Sequence, residues 1–150
     1  STLLVWPVFK RFAKEDLSSV DPDAVRKGAI SREARIEWMN KAYGPAAQPI
    51  MDENEGDFLS WEEQERRITR AQTRFGEIKQ CIDEMPPVSV IEDAMRRLGA
   101  SMTPEELGID TELLNTSMRC AKDYRTRYTL FKLISECGLE DKYLEDYPLV

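Results

Sequence analysis

With 150 residues the chain is long enough to bury a core without disulfides or a structural metal, and a single domain spanning 1–150 is expected. Its 21 Lys and Arg against 28 Asp and Glu give a net charge of -7, which repels phosphate backbones and anionic lipid, so neither nucleic acid nor a membrane is expected as a partner. There is no histidine, which removes the most versatile acid–base side chain and the commonest nitrogen ligand for zinc, iron or nickel.

No apolar run approaches the roughly 18 to 20 residues that span a bilayer, and no basic segment with a cleavage site opens the sequence. Cys81, Cys120 and Cys137 form no CxxC pair and sit among apolar residues at helical spacing, so three buried thiols in a reducing, cytoplasmic setting are expected.

The sequence opens on Leu3, Leu4, Val5, Trp6, Val8, Phe9 and Phe12, with Pro7 tolerable in the first turns of a helix. A helix apolar all round at one end needs cover on every side. It is read as an edge of something larger, prone without that cover to self-association into a homo-oligomer. Asp21-Pro22 is a helix start, and apolar residues from Val25 to Tyr43 continue to about Ala42, with Gly28 dividing the helix and Ser31 capping its second piece. Gly44-Pro45 stops it, and 46–58, with Pro49 and Gly56, reads as a loop. The acids from Asp52 to Glu65 do not follow a calcium-loop ladder and read as solvated.

Ser60 and Glu63 form a capping box, and one long helix follows, with Trp61, Ile68, Ala71, Phe75, Ile78 and Ile82 on its apolar face. Arg66, Arg67, Arg70 and Arg74 flank that face, either as an anion site or as a self-paired solvated surface. Met85-Pro86-Pro87 ends the helix, and Ser89 is positioned to cap the next, which stops at Gly99. Thr103-Pro104-Glu105-Glu106 starts a short turn of helix cut by Gly108, and Asp110 caps another helix carrying Leu113, Leu114, Met118 and Ala121. Thr129 caps a helix ended by Gly138, and the tail is expected to dock around Tyr143 and Leu144.

Between these last helices lies Lys122-Asp-Tyr-Arg-Thr-Arg127, followed by Tyr128. Arg125, Arg127 and Tyr128, with Tyr124 nearby, are the candidate anion or pocket contacts, since arginine forks and phenols are the polar groups suited to that task here. The other reading is that they satisfy helix C-terminal carbonyls and pack a corner. No strand period and no repeat is visible, so the fold class is all-α, a multi-helix bundle. Gly-rich phosphate loops are missing, a Ser-His or Cys-His dyad is impossible, and no paired carboxylates lie in an apolar setting; no catalytic, cofactor-binding or metal-ligating residue is assigned. A DNA-reading helix is disfavoured because Asp110-Thr111-Glu112 places acids where base contacts would be needed.

The span from Leu98 to Leu139 resembles the C-terminal region of bacterial glycerol-1-phosphate dehydrogenase-like proteins, within the iron-containing alcohol dehydrogenase and dehydroquinate synthase superfamily. The matching pieces are LGA at Leu98 to Ala100, TPEELGI at Thr103 to Ile109, ELL at Glu112 to Leu114 and RYT at Arg127 to Thr129. They belong to a segment covering about a third of the chain, and the opening Ser1 to Phe12 also looks like the helix that follows a metal-binding histidine segment in that family. The resemblance implies an N-terminal dinucleotide-binding domain as partner. It also implies an NAD(P) cofactor, a divalent metal (Fe, Zn or Ni) held by an aspartate and two histidines, and hydride transfer to or from a polyol or its phosphate. Because this chain has no histidine and no glycine-rich loop, the resemblance places those parts upstream of Ser1 and makes the chain the C-terminal helical domain of a two-domain dehydrogenase, inactive by itself. The rival expectation is a free-standing helical interaction or regulatory module.

Overall fold

The computed structural model describes residues 2–54, 59–124 and 126–144. Among them every regular element is helical: α1 Thr2–Phe12, α2 Pro22–Gly28, α3 Arg32–Tyr43, α4 Ala47–Glu53, α5 Trp61–Thr73, α6 Phe75–Asp83, α7 Val88–Arg97, α8 Thr111–Cys120, α9 Leu130–Glu136 and α10 Glu140–Leu144. Single 3-10 turns lie at Leu17–Ser19, Gly44–Ala46 and Glu105–Leu107. The all-α multi-helix expectation holds. None of the described helices is long and apolar enough to cross a membrane.

The core forms around α1. Val8 and Phe12 are buried, the Phe12 ring meets the edges of Phe75 at 5.4 Å and Tyr143 at 5.8 Å, and Phe9 tilts against Phe131 at 5.5 Å. Such aromatic pairs add about 0.5–1.5 kcal/mol each beyond the area they bury. The opening helix therefore finds its cover within this chain, in α6, α7, α9 and α10, contrary to the expectation of an unshielded apolar end. Lys10 reinforces the contact by donating to the Ile82 carbonyl at 2.8 Å, the end of α6.

Polar caps set the helix starts. Asp21, Ser31, Ser60, Asp110 and Thr129 each accept a backbone N–H of the first turn that has no partner within its helix. The Thr103 hydroxyl accepts from the Glu106 N–H, while the Glu106 carboxylate reaches back past Thr103 and accepts from the Met102 N–H at 2.6 Å, a variant of the capping box. At Ser60 only half of the box forms, because the Glu63 carboxylate is held by Arg66 and Arg67.

Four expectations are corrected. The stretch after Gly44-Pro45 is helical as α4: Pro49 falls in its first turn, where a missing N–H costs nothing, and Ala47 and Ile50 bury the inner face. The long helix expected after Ser60 breaks at Arg74, with φ -107 and ψ 17. There the Thr73 hydroxyl bonds back to the Thr69 carbonyl, which bends helices, and Phe75 turns into the core. Ser89 does not cap α7, whose start falls two residues earlier than that cap would set, at Val88 after Pro87. Cys81 is exposed on α6, while Cys120 and Cys137 are buried as expected.

Candidate functional site

A cleft of about 730 Å³ opens between α2, α3 and the turn from α9 into α10. Gly138, at φ +66, makes that turn, and its bare Cα lets α2 come close: an added Cβ would lie 3.3 Å from Val25. Val20, Ala24, Val25, Ala29 and Leu139 give the cleft an apolar wall, and Trp38 of α3 lines it as well.

The floor is ionic. Lys122 and Asp123 follow α8 directly and are only 8% and 2% exposed. Asp123 accepts from Arg35 of α3 at 2.9 Å. Lys122 donates to Glu140 of α10 at 2.7 Å and to the Arg119 carbonyl at 2.9 Å, and stands 3.5 Å from the second Asp123 oxygen. Its ammonium also lies 5.6 Å from the Trp38 ring centre, a cation–π distance. Ser135 donates to the other Glu140 oxygen at 3.1 Å, and Arg119 pairs with Asp141 at 3.0 Å.

The segment carrying Lys122 and Asp123 is fixed from behind. Asn54 donates through one amide nitrogen to the Asp123 and Ile50 carbonyls, each at 2.8 Å. Tyr43 donates its hydroxyl to the Cys120 carbonyl. Burial first, with the nearby Asp123 carboxylate adding to it, pushes the Tyr43 phenol well above its ordinary value, so it remains a donor. Burial likewise raises the Cys120 thiol. Two helices thus clamp one turn, and the charges it carries are held in place rather than drifting on a loop.

On the α10 side, Glu15 receives Lys142 at 2.7 and 2.8 Å and the Tyr143 hydroxyl. Burial alone would raise the Glu15 carboxyl; the bonds from Lys142 and Tyr143 outweigh it and hold the group below its ordinary value.

Of the expected site residues, Arg125 lies outside the described residues. Arg127 is exposed, and Tyr128 sits against α5 and α9, donating to Glu136 at 2.7 Å with the Arg67 guanidinium 5.4 Å from its ring centre. Arg67 also pairs with Glu136 at 2.9 Å. Neither Arg127 nor Tyr128 lines the cleft. Burial, followed by the hydrogen bond to Glu136, raises the Tyr128 phenol, which makes it a structural donor.

The cleft residues that sequence reasoning missed are Arg35, Lys122, Asp123 and Glu140. Lys122 was findable: Leu114, Met118 and Lys122 fall at four-residue steps, so the buried face of α8 runs straight into it. Arg35 was not, since it meets Asp123 across 88 positions of sequence.

The donor set does not fit the metal centre the resemblance implies. The chain has no histidine, and among the described residues no three His, Cys, Asp or Glu side chains gather as a metal would require. Nor does any glycine-rich loop cradle a dinucleotide. The geometry defines an all-helical bundle with a cleft floored by paired charges. No family model matches the chain, and no curated protein or solved structure does either.

Proposed function

We propose that this chain is the C-terminal helical portion of an NAD(P)- and metal-dependent dehydrogenase of the glycerol-1-phosphate dehydrogenase type, and that it has no dehydrogenase activity by itself. The observation that carries the reading is the series LGA, TPEELGI, ELL and RYT, in that order between Leu98 and Thr129. These pieces lie at or beside the turns and caps that arrange the last helices. Gly99 and Gly108 take positive φ values of 64 and 68, Asp110 opens α8 just ahead of ELL, and Thr129 of RYT caps α9. In this role the bundle is a scaffold, and hydride transfer, metal and cofactor belong to the segment the resemblance places before Ser1.

The test is turnover. The purified chain, supplied with NADH or NADPH, dihydroxyacetone phosphate and Fe²⁺, Zn²⁺ or Ni²⁺, is expected to leave the nicotinamide absorbance unchanged. Steady oxidation that scales with protein concentration would overturn the reading. A second reading, a free-standing helical interaction module, draws support from one observation: α1 is buried by α6, α7, α9 and α10 of this same chain.

A further inference from the structure

We propose that the cleft binds a neutral, largely apolar alcohol whose hydroxyl bridges Lys122 Nζ and Asp123 Oδ2. Lysine carries three N–H donors, and two of them are used, on the Arg119 carbonyl and Glu140. The next acceptor, Asp123 Oδ2, stands 3.5 Å away, too far for a good hydrogen bond. Oδ2 is buried and has no hydrogen-bond donor among the described residues, although its carboxylate is almost wholly enclosed. The two groups are thus an ion pair held side by side without a good hydrogen bond between them. A group that both accepts and donates therefore has a place to go between them.

A hydroxyl does both, whereas an ammonium only donates and a carboxylate only accepts. Charge points the same way. Arg35, Arg119, Lys122 and Lys142 stand against Glu15, Asp21, Asp123, Glu140 and Asp141 around the cleft, so the charges nearly cancel and no large excess of either sign calls for a charged ligand. Above it, Val20, Ala24, Val25, Ala29, Leu139 and Trp38 present carbon to the rest of the ligand, and the cleft volume of about 730 Å³ falls in the range of small-molecule sites. Because Oδ2 is closed to bulk solvent, a hydroxyl reaches this slot only if a neighbouring side chain moves. The site stands independently of the dehydrogenase assignment.

The hydroxyl can come from a ligand or from water, and the test separates the two. The full chain, labelled with ¹⁵N, is titrated in separate experiments with cyclohexanol, cyclohexylammonium and cyclohexanecarboxylate, three probes sharing one ring. The expected result is saturable shifts of the Trp38 indole and the Lys122 and Asp123 amides with cyclohexanol, and at least about tenfold weaker response to the charged probes, which leave one partner unmet. Ala24→Trp, on the exposed rim of the cleft and clear of the ion pairs, is expected to weaken cyclohexanol binding by a similar factor. Absence of any saturable shift would mean that the slot holds water only, and overturns the proposal. Equal binding of a charged probe, or unchanged binding to the Ala24→Trp variant, overturns it as well.

Discussion

Replacing Lys122 with Met is the sharpest probe of the cleft floor. Met has a similar length and apolar body, so the substitution opens no large cavity and isolates the charge. What is lost is the ion pair to Glu140 at 2.7 Å and the bond to the Arg119 carbonyl at 2.9 Å, from an ammonium whose side chain is only 10% exposed. Breaking one partner of a buried pair costs about 3–5 kcal/mol, because a charge is left unpaired away from water. Here Asp123 retains Arg35 at 2.9 Å, and Glu140, at 26% exposure, can partly rehydrate and keeps the Ser135 hydroxyl. Both effects place the loss at the lower end, about 3 kcal/mol. With a urea slope of about 1.5 kcal/mol/M, that lowers the unfolding midpoint by about 2 M. Adding Glu140→Gln to the Met variant removes the orphaned charge and is expected to return about 1 kcal/mol or more. A loss below about 0.5 kcal/mol, the range of exposed pairs, would show that the cluster is solvated and would refute the account of the floor.

Three further outcomes follow from the same geometry. The folded Glu15 carboxyl sits below its ordinary value of 4.5, so its contribution is complete above about that pH and is lost as pH falls through the lower folded value; Glu15→Gln should flatten the acid limb of stability against pH, and an unchanged limb would contradict the bonds from Lys142 and Tyr143. Burial first, then the Glu136 charge, push the Cys137 thiol up to about 12, and burial raises Cys120, so only exposed Cys81 should react quickly with a disulfide reagent at neutral pH. Rapid labelling of all three in the native chain would contradict this. Gly138→Ala, at φ +66 and 3.3 Å from Val25, should cost about 1–2 kcal/mol, whereas Gly76→Ala, within α6 with open space around it, should gain about 0.5–1 kcal/mol. Urea melts of the two variants should therefore move in opposite directions.

Much of the fold could be read from local chemistry. Asp21, Ser31, Ser60, Asp110 and Thr129 cap the helices they were expected to start, because a cap depends on a side chain and backbone groups two or three residues away. The division at Gly28 is local in the same sense, while Tyr143 and Leu144 dock because they are the apolar residues of the last helix and find the core. Where packing overrides local signals, the reading failed. Pro49 suggested a loop, but burial of Ala47 and Ile50 sustains a helix there, and the break at Arg74 is not marked by proline. The cleft was the least legible part. Lys122 was hidden by its charge although its register on α8 is that of Leu114 and Met118, and the pairings Arg35–Asp123 and Glu15–Tyr143 join distant parts of the chain that no window of sequence connects.

The central claim, that these helices belong to a dehydrogenase whose chemistry lies elsewhere in the polypeptide, is tested most directly by sequencing the reading frame upstream of the codon for Ser1. The expected result is, in frame, a glycine-rich dinucleotide loop between a strand and a helix, followed by an aspartate and two histidines suited to a divalent metal. An upstream frame that lacks both the loop and the histidines would contradict it and leave the free-standing helical module as the reading.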